Sequence, residues 1–519
     1  VLFNSYLFIL LFLPLTLLGF SFAGHFGRRW SEAFLVVASF VFYASWSFGY
    51  GILIVAQLVF NFLVGRAIGR IKQADRRKAK MLTALAVFAN ICLLAYFKYT
   101  NFVLGNLYEL VGQSFTALHI ILPLAISFHT FQQVSYLVDE YKEDVPTYSF
   151  VEYCLFVLFF PQLIAGPIVR HRELIGELRR MPLRLRAENV AEGICFFVVG
   201  LAKKVLLADQ LSLIADPVFS NLGSHPPDLL LGLVATLSFG LGLYFDFSGY
   251  SDMAIGISRM FGVRLPYNFN SPYRSLSIID FWRRWHITLS LWLRDYLYIP
   301  LGGSRTGALA RQRNLMTTMV LGGLWHGASW NFVIWGALHG AFLAINHGWR
   351  AAAVNAGWTL PRPLAWLATF AAVMIAWIFF KAINFHDALT MLRALTGYYG
   401  VLLEETRTFL TLPSDAFVFG TYGWFREWAR LIYYEGSHFP VLGAALLIAL
   451  LPLNTQHLID GAEGKSVIGG FSAGMLQRVG RLQSYVAKPT PALGAALALL
   501  VLLAMTRLSE VKQFVYFQF

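Results

Sequence analysis

Apolar residues in this chain gather into long uninterrupted runs. They lie near residues 3–22, 32–48, 50–65, 81–97, 117–137, 150–168, 190–207, 230–247, 314–328, 330–346, 364–381, 441–453 and 490–506. Roughly 18 or more consecutive apolar residues are enough to cross a bilayer as a helix. Lipid offers the backbone no hydrogen-bond partners, so a segment of this kind must satisfy its own N–H and C=O groups by coiling. The pattern therefore predicts an all-α polytopic membrane protein. Residues 3–22 carry no basic n-region and no small-residue cleavage site before Phe22, so they read as a retained first span.

The polar residues between the runs predict orientation. Arg66–Lys80, RAIGRIKQADRRKAK, holds seven basic residues against one Asp. Arg170–Arg186 and Ser304–Arg313 are also basic. Lys and Arg in short loops mark the cytoplasmic side, so all three stretches are expected there. Residues 400–440 form the least apolar long stretch and read as a loop with surface helices. Several runs are interrupted, by Pro161 and Pro167 and by Gly240, Gly242 and Gly249. A broken helix at membrane depth survives only when buried in protein or lining a wet cavity, so these breaks point to a site inside the fold.

Composition narrows the class. The chain of 519 residues is 57% hydrophobic and 13% charged, whereas a soluble domain carries about 25% charged residues. One soluble core is excluded. The net charge of +13 sits in the loops and not on a nucleic-acid-binding fold. Cys92, Cys154 and Cys195 all fall within apolar runs without metal-ligand spacing, and read as small buried hydrophobes.

Four segments place polar groups where lipid would reject them. In LYFDFSGYSDMAIGI (243–257), Asp246 and Asp252 lie six positions apart, which on a continuous helix turns them to different faces. Gly249 is a candidate break between them. Either each acid pairs with an Arg on another helix or it serves the chemistry, because an intramembrane acid is costly without a partner or a task. In FWRRWHITLSLWLRDYLYIPLGG (281–303), aromatic and Leu residues recur every three or four positions. This predicts one amphipathic helix, with Trp285 and His286 beside its apolar stripe and Arg283 and Arg284 off it. His286 there is either a hydrogen-bonded core histidine or a functional one. In NLMTTMVLGGLWHGASWNFVIWGALHG (314–340), His326 stands in an uncharged run. Gly322, Gly323 and Gly327 beside it allow backbone or a ligand to approach closely. An imidazole suits proton transfer near neutral pH. His339 follows thirteen residues later, off the His326 face of a continuous helix, and no thiol or carboxylate completes a metal set. In FFPQLIAGPIVRHREL (159–174), Pro and Gly spacing predicts a re-entrant or kinked element.

FWRRWHITLSLWLRDYLYIPLGG followed by LGGLWHG resembles the signature pair of the membrane-bound O-acyltransferase family. YFDFSGYSDMAIGI, the N-terminal FNSYLFILLFLPL, YFKYTNF at 96–102 and the C-terminal FVYFQF resemble its alginate O-acetylase branch. The likeness covers nearly the whole chain. One departure is Lys381 in WIFFKA, where Arg is expected; the charge survives but planar bidentate pairing does not.

The resemblance implies a fold and a site. The fold would be a single domain over residues 1–519, with about eleven or more helices around a central tunnel. The catalytic core would span about 90–390, with accessory C-terminal helices at about 440–519. His326 would be the catalytic histidine and His286 the second polar position, both facing one water-accessible tunnel. Asp246, Ser248, Asp252, Arg283, Arg284, Trp285, Trp325 and Asn314 are the further candidates for lining the tunnel or contacting substrate. No metal and no permanently bound cofactor are expected. The resemblance implies a multi-pass protein of the bacterial inner membrane that takes acetyl from a cytoplasmic donor, acetyl-CoA or an equivalent. The acetyl would go to a hydroxyl of a secreted polysaccharide, alginate-like or another exopolysaccharide, directly or through a periplasmic acetyltransferase partner. Peptidoglycan O-acetylation and D-alanyl transfer to teichoic acid are the neighbouring readings. A proton-coupled transporter using Asp246 and Asp252, or a non-catalytic assembly scaffold, would be a different class.

Overall fold

The computed structural model describes residues 2–143, 145–305, 307–402, 439–451, 454–459, 491–508 and 514. No strand occurs among them. The helices follow the apolar runs. A π-turn at Phe8–Phe12 leads into α1 (Leu13–Ala23), then α2 (Arg28–Ala44), α3 (Phe48–Ala74), α4 (Arg76–Leu110) and α5 (Ile126–Lys142). Next come α6 (Phe150–Leu158), α7 (Phe160–Leu163), α8 (His171–Arg180), α9 (Ala187–Ala202), α10 (Asp209–Ser220) and α11 (Leu229–Met260). The second half holds α12 (Ile278–Trp282), α13 (Ile287–Leu293), α14 (Ala308–His326), α15 (Trp330–Ala356), α16 (Arg362–Lys381) and α17 (Phe385–Ala394). The described C-terminal helices are α18 (Phe439–Leu450), α19 (Thr455–Ile459) and α20 (Pro491–Met505). Most of the 400–440 stretch and of FVYFQF lies outside the described residues. Five helical stretches are long and apolar enough to cross a membrane: Phe8–Phe26, α3, α4, α11 and α16.

The central post is α11. Its most apolar window is 72% buried, against 22% for that of α4, which shows Leu85, Phe88 and Ile91 outward. Glycine explains how α11 is enclosed. A methyl group built on Gly200 of α9 would sit 2.5 Å from the Gly249 carbonyl oxygen, and one on Gly193 equally close to that of Gly256. The two pairs lie seven residues apart on each antiparallel helix, about two turns, so they form one seam. Small residues of this kind let membrane helices meet backbone to backbone. Gly249 therefore packs the helix and does not break it; α11 runs through unbroken. The Asp residues beside the seam find lysines, not the expected arginines. Lys203 donates to Asp252 at 2.6 Å, and Lys204 to Asp246 at 2.6 Å and Asp209 at 2.8 Å.

Other departures have local causes. Arg66–Lys80 is not a loop: α3 and α4 run on past the apolar run and meet at Asp75, whose carboxylate caps α4 by accepting from the Arg77 and Lys78 backbone N–H at 3.0 Å. Residues 113–123, the first part of the run at 117–137, are not helical. Pro123 has no N–H to give a helix, and Asn101 pairs with both Leu118 backbone groups at 2.9 Å. The run at 150–168 breaks at Phe159, where the backbone turns out of the helix. It starts and ends at the same end of the bundle, since Tyr148 and His171 share a hydrogen bond of 2.9 Å. This is the re-entrant element expected from Pro161.

The three basic stretches converge on that end. Arg28 donates to the carbonyls of Leu178 and Met181 at 3.0 Å, Lys72 to that of Glu140 at 2.9 Å, and Arg172 pairs with Glu143 at 2.9 Å. Tyr296 donates to Asp139 at 2.7 Å, and Arg170 pairs with Asp295. The start of α14 joins them through Asn314, which donates to the Gly303 carbonyl at 3.1 Å.

Candidate active site

His326 is the last residue of α14, where Gly327 turns the chain toward α15. The helix pair is set by small residues. A methyl on Gly323 would stand 3.2 Å from the Gly336 backbone of α15. Gly323 thus serves helix crossing, and Gly327 faces the Phe332 ring; the space beside His326 comes from elsewhere. The imidazole is buried, 5% exposed. Trp325 (4.9 Å between ring centroids), Trp335 (5.1 Å) and Phe380 (5.3 Å) surround it. Such a box leaves the ring little contact with water except on its cavity side.

A partly open cavity is lined by His326. Its walls are Trp46, the non-helical stretch Leu122–Ala125, the first turn of α5, Ile164 from the re-entrant element, Trp325 and Lys98. Lys98 lies 22 residues along α4 from the basic end, about 33 Å at 1.5 Å per residue. The cavity therefore sits toward the face opposite the basic loops. Below it, stacked rings continue toward the basic end: Trp325 on Phe131 (5.1 Å), Phe131 on Trp292 (3.8 Å) and Trp292 against Tyr296 (5.3 Å).

His286 belongs to a different local structure. The expected single amphipathic helix is broken there into α12 and α13, with His286 in the left-handed region at φ 42°. Asn268 holds it. The Ile287 N–H donates to the Asn268 carbonyl at 2.9 Å, the Thr288 hydroxyl donates to Asn268 Oδ1 at 2.9 Å, and His286 Nδ1 shares a hydrogen bond with that oxygen at 3.1 Å. A non-glycine residue in this conformation stores strain, and such strain clusters at functional sites. The ring lies against Trp325 at 6.5 Å and interacts electrostatically with His326. It is not among the residues lining the cavity. The expectation that both histidines face one cavity is therefore not met: His326 lines it, and His286 lies on the other side of Trp325.

The other candidates divide in the same way. Trp325 lines the cavity, and its indole N–H is buried without a hydrogen-bond partner among the described residues. Trp285 packs behind, on Phe281 and Trp377. Arg284 pairs with Asp280 at 2.9 Å, and Arg283 is exposed. Asp246, Ser248 and Asp252 lie on α11 outside the cavity lining, the two acids in the lysine pairs. Asn314 lies twelve residues before His326, about 18 Å down α14. Lys381, the departure from the family pattern, pairs with Asp216 at 2.8 Å.

Two residues were not singled out as site candidates. Lys98, inside YFKYTNF, lines the cavity and donates to the carbonyls of Trp325 and of His326 (3.1 Å). Its signal was a lone cation in an apolar run. His339 is fully buried, 4.7 Å from Trp335 between ring centroids, and accepts from the Trp282 indole at Nδ1, 3.3 Å. It reaches the His326 box from α15, a helix separate from α14, which a face calculation along one helix could not foresee.

The fold and site thus define a helical membrane protein with a buried imidazole at a cavity. Residues 77–386 match the membrane-bound O-acyltransferase family, and the chain belongs to it. It is 40% identical to a peptidoglycan O-acetyltransferase of Helicobacter pylori over 89% of this chain and 91% of that one. It is 43% identical to a probable alginate O-acetylase of Pseudomonas aeruginosa over 78% of this chain and 76% of that one. A teichoic acid D-alanyltransferase of Bacillus subtilis is 29% identical over 42% of this chain and 58% of its own length. The chain is an acyltransferase.

Proposed function

We propose that this protein is an inner-membrane O-acetyltransferase that moves acetyl from a cytoplasmic donor to a hydroxyl destined for a secreted polysaccharide. The observation that carries the reading is the cavity on His326, which lies toward the end of the bundle opposite the basic loops. Positive charge marks the cytoplasmic side, so the acceptor reaches His326 from outside. The donor, acetyl-CoA or an equivalent thioester, approaches from the basic end along the Phe131–Trp292–Tyr296 column. His326 acts as general base on the acceptor hydroxyl, a role that typically contributes 10²–10⁴-fold. His286, held by Asn268, acts one ring away, as a positioning group through Trp325. The acceptor is either the polymer itself or a periplasmic partner that passes the acetyl on.

Peptidoglycan as the final acceptor is the second reading. It is favoured by the Helicobacter pylori match, which covers 89% of this chain against 78% for the alginate match. Purified protein in nanodiscs, given acetyl-labelled acetyl-CoA and either unacetylated alginate oligomers or peptidoglycan fragments, tests both. Label in alginate alone supports the exopolysaccharide reading, and label in peptidoglycan alone supports the second. Label in neither, with or without a periplasmic extract, contradicts the acetyltransferase reading.

A further inference from the structure

We propose that the Lys98 ammonium is a catalytic group, which holds the oxyanion formed when the acceptor hydroxyl adds to the acyl carbonyl beside His326. The inference rests on the acetyl-transfer reading above.

An ammonium offers three N–H donors. Two of those on Lys98 go to the Trp325 and His326 carbonyls, which leaves one in a residue that lines the cavity. Among the described residues no carboxylate forms an ion pair with Lys98, whereas Lys203, Lys204 and Lys381 each have one within 2.8 Å. A cation at membrane depth needs a partner or a task. Among the described residues its compensation is two neutral carbonyls and the face of the Trp325 ring, 5.9 Å from the ammonium to the ring centroid, none of which carries a full negative charge, and it stands at the end of the helix that carries His326.

Capping alone does not require that charge. The last carbonyls of α14 are otherwise served by neutral donors: the Gly327 N–H on Gly323 at 3.4 Å, and the Tyr99 hydroxyl on Leu324 at 2.7 Å. A positive charge does answer what happens next to His326. His326 takes the hydroxyl proton as the hydroxyl oxygen bonds to the acyl carbon. The carbonyl π pair moves onto its oxygen, and the resulting oxyanion accepts the free Lys98 N–H. Collapse restores the carbonyl, breaks the C–S bond and expels the thiolate, which leaves as a thiol with the proton from His326. A fixed donor aimed at charge that develops only in the transition state accelerates this step without tightening substrate binding.

The test uses full-length Lys98→Met, Lys98→Gln and Lys98→Arg in nanodiscs, with acetyl-CoA and the acceptor that wild type acetylates. Gln keeps a neutral donor for the helix end and loses the charge. The expected result is a kcat lower by about 10² or more in Met and Gln, with KM for acetyl-CoA within about threefold. Arg should recover to within about tenfold of wild type, and Gln should melt with wild type. The proposal is overturned if Gln retains more than about a tenth of wild-type kcat, or if its loss lies in KM or in melting temperature. If wild type itself transfers no acetyl, the acetyl-transfer reading has failed and the role of Lys98 falls with it.

Discussion

Two buried regions of this protein carry charge, and they handle it in opposite ways. Beside α11, Lys203 and Lys204 meet Asp252, Asp246 and Asp209, and the Thr455 hydroxyl adds a further bond to Asp252 at 2.6 Å. Each charge there is answered by a protein group of opposite sign. Around His326, aromatic rings replace carboxylates, and among the described residues Lys98, the cation lining the cavity, has two carbonyls and the Trp325 ring face but no carboxylate. A balanced network holds helices together and leaves nothing for a substrate. An unbalanced one keeps its electrostatic capacity for charge that appears during reaction.

The comparison can be broken by moving effects from one region to the other. Lys204→Met should be the most damaging to the fold. It removes the lysine partner of Asp246 and Asp209, and breaking one side of a buried pair costs roughly 3–5 kcal/mol. Unfolding in mixed micelles should show that loss, while the folded fraction keeps wild-type turnover per molecule. A large fall in turnover without a fall in stability would move α11 into the catalytic machinery and favour the proton-relay reading of Asp246.

Gly200→Leu comes next. The Gly249 carbonyl leaves no room for the side chain, and overpacking of this kind costs about 1–3 kcal/mol. The same unfolding assay checks it, and an unchanged midpoint would mean that the α9–α11 seam is looser than described. Asn314→Ala should cost about 1 kcal/mol for its one hydrogen bond to Gly303, with turnover unchanged; loss of turnover would return Asn314 to the substrate path. Gln73→Cys, at the basic end of α3, should alter neither property. In intact cells it should also escape a membrane-impermeant thiol reagent, and ready labelling would invert the topology on which the acceptor side depends.

Much of this was legible in the amino-acid sequence because lipid imposes a single rule on the backbone. Most apolar runs became helices, Pro161 marked the re-entrant turn, and WHG marked the histidine at the cavity. What was not legible depends on distant partners. The aromatic spacing through 281–296 is continuous, yet the helix breaks at His286 because Asn268, eighteen residues earlier, captures its backbone and ring. Gly249 looked like a break because a glycine serving a close approach and one serving a kink are the same letter; only Gly200 across the seam separates them. Lys98 passed unnoticed because nothing in its own helix says that its ammonium reaches the end of α14, 228 residues away in sequence.

Acetyl transfer here turns on His326, and the most direct test compares two proteins. Wild type and His326→Ala would be purified into nanodiscs, matched for folded protein by unfolding midpoint, and assayed for transfer of labelled acetyl from acetyl-CoA to the acceptor that wild type uses. The expected result is an intact midpoint and a transfer rate lower by at least about 10², the smallest contribution typical of a general base. A folded His326→Ala protein that keeps more than about a tenth of the wild-type rate would contradict it.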